Sequence, residues 1–456
     1  MTKCNLKLKW LYLFTASLLA CSASVGGENS SNPPEDFEIS DVRNLPQDIG
    51  AYASSFPDEH FDKTCRDHFL AEFRRRYYAP WTKRDSVTDV KGFVEAMKEH
   101  LKKEWYGENR RKVPRWFMEE ILANCDLGHL PSLNRLAVVT AATDLRVLPS
   151  EKPFFENADD FPFDLLQNGG LKLNEPIRVL HLSRDGLWAF VETADTNGWV
   201  DVRNVGYMDA KVADWWMKKK QVVIVRDGTM IRDKGGSVNM KVNVGTICPL
   251  VAEGGSFYEV SAPLNTGLHN VKIVKAKVPR KSARRFPLIP DTASITLIGN
   301  ELIGKPYGWG EMFRNRDCSS LMRDFFIPFG IWLPRGSYNQ INSGKNIKLD
   351  GLSGGEKERL IVQKGVPFMT LVYLKGHIML YAGERNGKAL MFHSKWGVKV
   401  KNGNGVECKK IIGKSIVSTL NPGGELNLAS ASLLDRVTGM LVLGDKCSGG
   451  DNYLNP

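Results

Sequence analysis

Cys318, set between Asp317 and the pair Ser319-Ser320, opens a run in which Leu321, Met322, Phe325, Phe326 and Phe329 recur at helical spacing. Gly376-His377 starts a strand-like run 59 residues later (377 minus 318), and His393 lies on the next such run. A core-facing helix that begins at a cysteine and faces histidines on paired strands restricts the chain to helices packed on an antiparallel sheet. Asp317 or Ser319 is the expected N-cap, and Pro328 limits how far the helix can run. A helix N-terminus and a neighbouring imidazolium both favour the thiolate, the attacking form of a cysteine.

Register decides whether the two histidines meet. His377-Ile-Met-Leu-Tyr381 and Leu390-Met-Phe-His393 flank Glu384-Arg-Asn-Gly-Lys388, a hairpin signal centred on Asn386-Gly387. With a two-residue Asn-Gly loop the paired positions sum to 773, His393 opposes Leu380, and the histidines point to opposite faces. With a three-residue loop, Arg385 to Gly387, the sum is 772, so His393 opposes Met379 and shares a face with His377. Diagonal neighbours then lie roughly 7 to 8 Å apart. The second register, through that loop or an equivalent bulge, is the expectation.

Taken singly, a cysteine at a helix start is most often a small buried hydrophobe, and a strand histidine a satisfied core or edge residue. The surrounding strings change that reading: Pro306-Tyr307-Gly308-Trp309-Gly310 upstream, Leu333-Pro334-Arg335-Gly336-Ser337 with Gln340 downstream, then Gly376-His377 and His393-Ser394-Lys395-Trp396-Gly397. Over residues 286–447 these resemble the NlpC family of papain-like peptidoglycan endopeptidases. The resemblance implies cleavage of the isopeptide bond between γ-D-glutamate and a diamino acid in stem peptides. It makes Cys318 the nucleophile, His377 the general base and later acid, and His393 the group that orients His377. Tyr307 matches the family tyrosine near the oxyanion, where the Cys318 backbone N–H would also contribute. Glu311 stands where the family has a second glycine, which puts the shape of that loop in question. Asp317, Ser319, Ser320 and Arg335 are polar neighbours able to hold a substrate's charged ends, or equally to act as caps and a surface ion pair.

At 456 residues the chain has room for about three domains of roughly 150 residues. Lys3, Lys7 and Lys9 precede an apolar run from Trp10 to Ala20 that is too short to span a bilayer and ends at Leu18-Leu19-Ala20-Cys21. This resembles a bacterial lipoprotein signal over 1–20, with Cys21 lipidated and 21–37 a flexible tether; ordinary signal cleavage nearby is the alternative. The expected location is the periplasmic side of the cell envelope, membrane-anchored through the lipid. Removing three lysines with the signal lowers the net charge from +11 to +8 (11 minus 3). A mildly basic exported chain suits an anionic wall or lipid headgroups. Its basic residues are scattered, and the one cluster, Lys277 to Arg285, reads as a solvated linker, so nucleic acid is not an expected partner. A monomer is expected.

The predicted architecture is α+β multidomain: a helical segment over 38–135, SH3-like β-barrels over 136–210 and 211–280, and a papain-like domain over 286–447. Helical spacing covers Phe61, Cys65, Phe69 and Phe73, then Val90, Phe93, Val94, Met97 and Leu101, then Trp116, Phe117, Ile121 and Leu122. Leu145-Arg146 and Ile231-Arg232, 86 residues apart (232 minus 146), form a weak internal repeat between the two barrels. Their aromatics are core by default or line a wall-binding groove. A Cys65–Cys125 bridge is possible, with two buried thiols the expected state, and Cys408 with Cys447 is a second pairing. No cysteine or histidine spacing points to zinc, and no metal or cofactor is expected. Leu352-Ser-Gly-Gly-Glu356 looks like an ATPase signature, yet the chain has no phosphate-cradling G-x-x-x-x-G-K-[ST]; it reads as a polar loop. Two other functions remain open on the sequence: an acyltransferase with the same three residues, and a non-catalytic wall-binding lipoprotein.

Overall fold

The computed structural model describes residues 38–57, 61–83, 89, 92–95, 99, 103–236, 239–267 and 269–444. The signal, Cys21, the tether, Val90, Met97, Leu101 and Cys447 lie outside these residues.

Helix α1 (Lys63–Tyr77) starts where the Asp62 carboxylate accepts the Cys65 N–H at 2.7 Å. It buries Cys65, Phe73 and Tyr77 along one stripe. Phe73 meets Phe286 and Trp332 at ring distances of 5.3 and 5.9 Å, and Trp81 donates to the Ala137 carbonyl at 2.7 Å. The helical segment is thus a wedge that joins the β-domains to the C-terminal domain through one continuous apolar core. In α2 (Arg115–Cys125), Met118, Ile121 and Cys125 are buried, whereas Trp116, part of the apolar spacing, is 64% exposed.

Two seven-stranded antiparallel sheets follow. The first comprises β1 (Arg135–Val139), β2 (Thr143–Arg146), β3 (Gln167–Leu171), β4 (Pro176–Leu182), β5 (Trp188–Glu192), β6 (Asn197–Asp201) and β7 (Val205–Tyr207), in the order β3-β2-β6-β5-β4-β1-β7. The second comprises β8 (Gln221–Ile224), β9 (Thr229–Arg232), β10 (Asn239–Val242), β11 (Ile247–Glu253), β12 (Phe257–Asn265), β13 (Val271–Pro279) and β14 (Ala283–Phe286), in the order β10-β9-β13-β12-β11-β8-β14. Adding seven to each label of the first order gives the second, so the Leu145-Arg146 and Ile231-Arg232 repeat marks equivalent strands, β2 and β9. The cluster at Lys277 to Arg285 is not a linker. It carries the end of β13 and the start of β14, which pairs with β8, and Ala283 is fully buried.

The C-terminal sheet comprises β15 (Ile347–Lys348), β16 (Thr370–Leu374), β17 (His377–Arg385), β18 (Lys388–Lys401), β19 (Glu407–Ser418) and β20 (Gly439–Val442), in the order β15-β20-β16-β17-β18-β19. Helices α3 (Thr292–Leu302) and α4 (Cys318–Phe326) bury Ile295, Ile298, Leu321, Met322 and Phe325 with Ile378, Leu380 and Phe392. On the other face α5 (Gly354–Lys364) and α6 (Leu433–Arg436) set Ile361 and Leu433 against Val372, Met379 and Met391. The segment at Leu352–Glu356 is therefore not a loop throughout. Ser353 and Glu356 form a capping box that starts α5, a Ser-x-x-Glu signal present in the sequence.

The expectation of two buried free thiols holds for Cys125 and fails for Cys65, and neither the possible Cys65–Cys125 bridge nor the Cys408–Cys447 pairing is made. Cys125 packs beside Trp105 and Leu180, in a different core from the one that holds Cys65, and it is a free thiol. Cys408 is free and exposed. Cys65 is disulfide-bonded, to a partner outside the described residues. Among the described residues no helix is long and apolar enough to cross a membrane.

Candidate active site

Helix α4 begins at Cys318 because Asp317 caps it: Asp317 Oδ1 accepts the Ser320 N–H at 2.8 Å and the Ser319 hydroxyl at 2.9 Å. Its other oxygen takes the Gly310 N–H at 3.1 Å. Burial opposes ionisation of Asp317, but the Arg335 guanidinium, 3.1 Å away, and these donors hold its carboxyl down at about 2. Arg335 is therefore a buried partner of the cap and not a surface ion pair, and its backbone N–H is fixed by Asp195 of the first β-domain at 2.6 Å. Ser320 is fully buried and donates through both N–H and hydroxyl to Asp317, which makes it part of the cap. Ser319 is buried as well, bridging Asp317 and Arg335.

Glu311, the departure from the two-glycine pattern, has φ +66° and reaches into the first β-domain, where its carboxylate accepts the Gly170 N–H at 3.0 Å. A Cβ on Gly170 would lie 3.0 Å from the Glu311 Cβ, so the glycine leaves room for this contact. Gln167 donates to the Gly310 carbonyl at 2.9 Å, and Trp309 Nε1 to the Asp164 carbonyl at 2.9 Å. Behind α4, Arg316 binds Asp227 of the second β-domain through two bonds of 2.7 Å and Asp324 at 2.6 Å. Both β-domains thereby hold the segment that ends at the cysteine.

The histidines share a face, by a route other than the three-residue loop. Asn386 (φ +54°) and Gly387 (φ +75°) make a two-residue turn, and the first pairs, Arg385 with Lys388 and Glu384 with Ala389, sum to 773. Between Gly383 and Tyr381 a bulge shifts the register, and Tyr381 with Met391 and Leu380 with Phe392 sum to 772. One step further His393 opposes Met379, and His377 Nε2 lies 2.8 Å from His393 Nδ1.

Tautomers follow from the end of this chain. The Ser418 hydroxyl donates to the Thr419 carbonyl at 2.7 Å, so its oxygen accepts from His393 Nε2 at 2.9 Å. A neutral His393 with its proton on Nε2 presents a lone pair at Nδ1, which accepts the His377 Nε2–H. The lone pair of His377 is left on Nδ1. Both imidazoles are held well below the ordinary histidine range, chiefly by burial and then by the charge of Lys395. No local sequence signal marks Ser418, which lies 25 residues from His393 and is brought beside it only by β18–β19 pairing.

Cys318 keeps some exposed surface, while burial and the charge of Asp317 push its thiol up to about 12. The N–H groups of Ile378, next to His377, and of Ser319 point at the sulfur and favour the thiolate. Each charge is costly alone here, which suits proton transfer in step with attack over a standing ion pair. Tyr307 packs at a tilt against Trp396, 5.7 Å between rings, and its hydroxyl makes no hydrogen bond among the described residues. Burial, then the charges of Asp317 and Cys318, raise its pKa well above the usual value, so it stays a donor.

A cysteine at the start of a helix that abuts an antiparallel sheet bearing paired histidines is a papain-like architecture. Residues 304–415 match the NlpC/P60 family, residues 10–129 the N-terminal stabilising domain of that family, and residues 153–201 an SH3 domain of the SH3b1 type. The chain thus carries an NlpC/P60 domain at its C-terminal end, preceded by the stabilising and SH3 domains, and the NlpC/P60 domain is that of a hydrolase of the peptidase class. Among solved structures it is similar to an NlpC/P60 endopeptidase from Photobacterium damselae subsp. piscicida, at 24% identity and a TM-score of 0.79 over 88% of this chain and 97% of that one. An NlpC/P60 family protein from Bacillus cereus ATCC 10987 aligns at 17% identity and a TM-score of 0.44 over 68% of this chain and 99% of its own. No curated protein matches the chain.

Proposed function

We propose that the protein is an exported cysteine endopeptidase that hydrolyses the γ-D-glutamyl–diamino acid bond of peptidoglycan stem peptides. The observation that carries this reading is the ordered series Ser418, His393, His377, which leaves a lone pair on His377 Nδ1 as the base. The Cys318 proton passes to His377 Nδ1 as the sulfur attacks the γ-carbonyl carbon. Charge then develops on the carbonyl oxygen, which the Cys318 backbone N–H, free of an intrahelical partner at the helix start, and the Tyr307 hydroxyl receive. The C–N bond breaks as His377 returns its proton to the leaving amine, giving a thioester. Water attacks the thioester, its proton goes to His377, and the thiol is restored with the γ-carboxylate released. His393 turns the imidazole and accepts its Nε2–H throughout. Asp317, Arg335, Ser319 and Ser320 act through the cap that fixes the cysteine.

The disulfide at Cys65 supports an oxidising compartment. Together with the signal-like first residues it favours export and a lipid anchor at Cys21, with a monomer working at the envelope. Incubating γ-D-glutamyl-diamino acid stem peptides with the parent and with Cys318→Ala, followed by fragment masses, tests the reading. Cleavage at that bond by the parent alone is expected; cleavage at another bond, or equal cleavage by both proteins, overturns it.

A further inference from the structure

Lys395 belongs to none of the roles above. It lies two residues beyond His393 on β18 and so points to the same face, just before the strand breaks register between Lys395 and Gly397. The ammonium is close enough to Cys318, His377, His393 and Arg436 for their charges to interact. Among the described residues no carboxylate pairs with it: its strand neighbour is Lys414, whose own ion pair is with Glu38. Lys395 keeps some exposed surface, yet burial chiefly, then Arg436, pushes its ammonium down to about 8.

An ammonium taken out of water with only imidazoles, a guanidinium and a thiol around it is an uncompensated charge. The groups around Cys318 that do carry negative charge, Asp317 and Glu311, are engaged by Arg335 and by backbone N–H groups on the far side of the cap. The face of β18 that carries His393 and Lys395 is therefore electropositive, and the Lys395 ammonium lies within electrostatic range of the Cys318 sulfur.

We infer that Lys395 forms an anion subsite beside Cys318 that receives the free α-carboxylate of the γ-D-glutamyl residue, and so selects acidic over amidated stem peptides. The inference rests on the proposed bond. That residue's α-carboxylate is separated from the scissile γ-carbonyl by three carbons, so a cation next to the nucleophile is placed to hold it. Amidation of the carboxylate removes the charge and leaves the ammonium unpaired in the complex.

Two readouts separate the subsite from the bond. The first is alkylation of Cys318 by anionic iodoacetate and by neutral iodoacetamide, followed by mass mapping of the Cys318 peptide in the parent, Lys395→Gln and Lys395→Arg, each checked for an unchanged melting profile. The second is kcat/KM for the stem peptide with a free α-carboxylate and for its α-amide. The parent is expected to favour iodoacetate and the acidic peptide. Lys395→Gln is expected to lower both preferences about tenfold, the size of one screened charge contact, and Lys395→Arg to keep most of each. Should Lys395→Gln lower the iodoacetate preference while the parent cleaves neither peptide, the anion subsite stands and the proposed bond falls. An iodoacetate preference unchanged in Lys395→Gln, or equal losses on both peptides, overturns the subsite.

Discussion

His377 Nε2 lies 2.8 Å from His393 Nδ1, and a bulge six residues along β17 from His377 is what brings them together. Without it, the two-residue turn at Asn386-Gly387 would run in one register and set the imidazoles on opposite faces. The residue that permits the bulge is Gly383, at φ +127°, a conformation that side chains rarely adopt. A Cβ there would also approach the Ser55 hydroxyl to 3.2 Å.

Gly383→Val is therefore expected to destabilise the protein by about 2 kcal/mol and to reduce peptidase activity more than the unfolded fraction explains. Chemical denaturation alongside kcat measures both. Gly387→Ala is the control, with φ +75° and nothing within 4 Å of an added Cβ, and should cost about 1 kcal/mol with activity kept. Equal behaviour of the two variants would refute the role given to the bulge.

Ser418→Ala removes the acceptor of the His393 Nε2–H, and the tautomer that presents Nδ1 to His377 loses its support. A fall in kcat of about tenfold with little change in KM is expected, in line with one hydrogen bond of about 1.4 kcal/mol. His393→Asn should retain more activity than His393→Ala, because its amide oxygen can accept the His377 proton. Steady-state kinetics of the three variants decides the matter.

His393 is fully buried and His377 partly so, and both have pKa values well below the usual range, so their neutral forms stabilise the fold. The unfolded chain takes up protons near the ordinary histidine pKa of about 6.5 and the native state does not. Stability from this source is present above that pH and is lost as pH falls below it. Melting temperature should therefore drop between about pH 6.5 and 5, with a shallower slope in His393→Asn.

Glu175 has the opposite sign. Burial, opposed by Arg323 and Lys172, raises its carboxyl to about 7, above the unfolded value. Its neutral form stabilises the fold at low pH, and that contribution is lost as pH rises through about 7. Glu175→Gln should raise the melting temperature at pH 8 and leave it little changed at pH 4.5, with a ceiling of about 3 kcal/mol from the size of the shift. A gain at both pH values would refute the titration.

Arg316→Met leaves Asp227 facing no cation at its two 2.7 Å bonds and weakens the tie between the second β-domain and α4. A loss of about 3 kcal/mol is expected, since the carboxylate is left desolvated. Adding Asp227→Asn should recover part of it, which a double-mutant cycle would show.

Local patterns carried much of the molecule. Apolar spacing after Cys318 gives α4, Asp317 caps it, and Asn386-Gly387 makes the two-residue turn its sequence favours. The repeat at Leu145-Arg146 and Ile231-Arg232 marks two β-domains of identical strand order. Two local signals compete with stronger neighbours: the Ser353-x-x-Glu356 capping box sits in a Gly-rich polar stretch, and the strand through Ala283–Phe286 lies in a run of basic residues.

By itself the sequence determined which residues could react, because a thiol at a helix start and a histidine opening a strand are set by nearest neighbours along the chain. Tertiary structure alone decided that His377 and His393 share a face, that Ser418 sets their tautomers, that Arg335 turns inward to Asp317, and that Lys395 has no carboxylate partner among the described residues. These depend on strand register and on packing between domains, where one bulged residue reverses a face and burial changes which charge a group can hold.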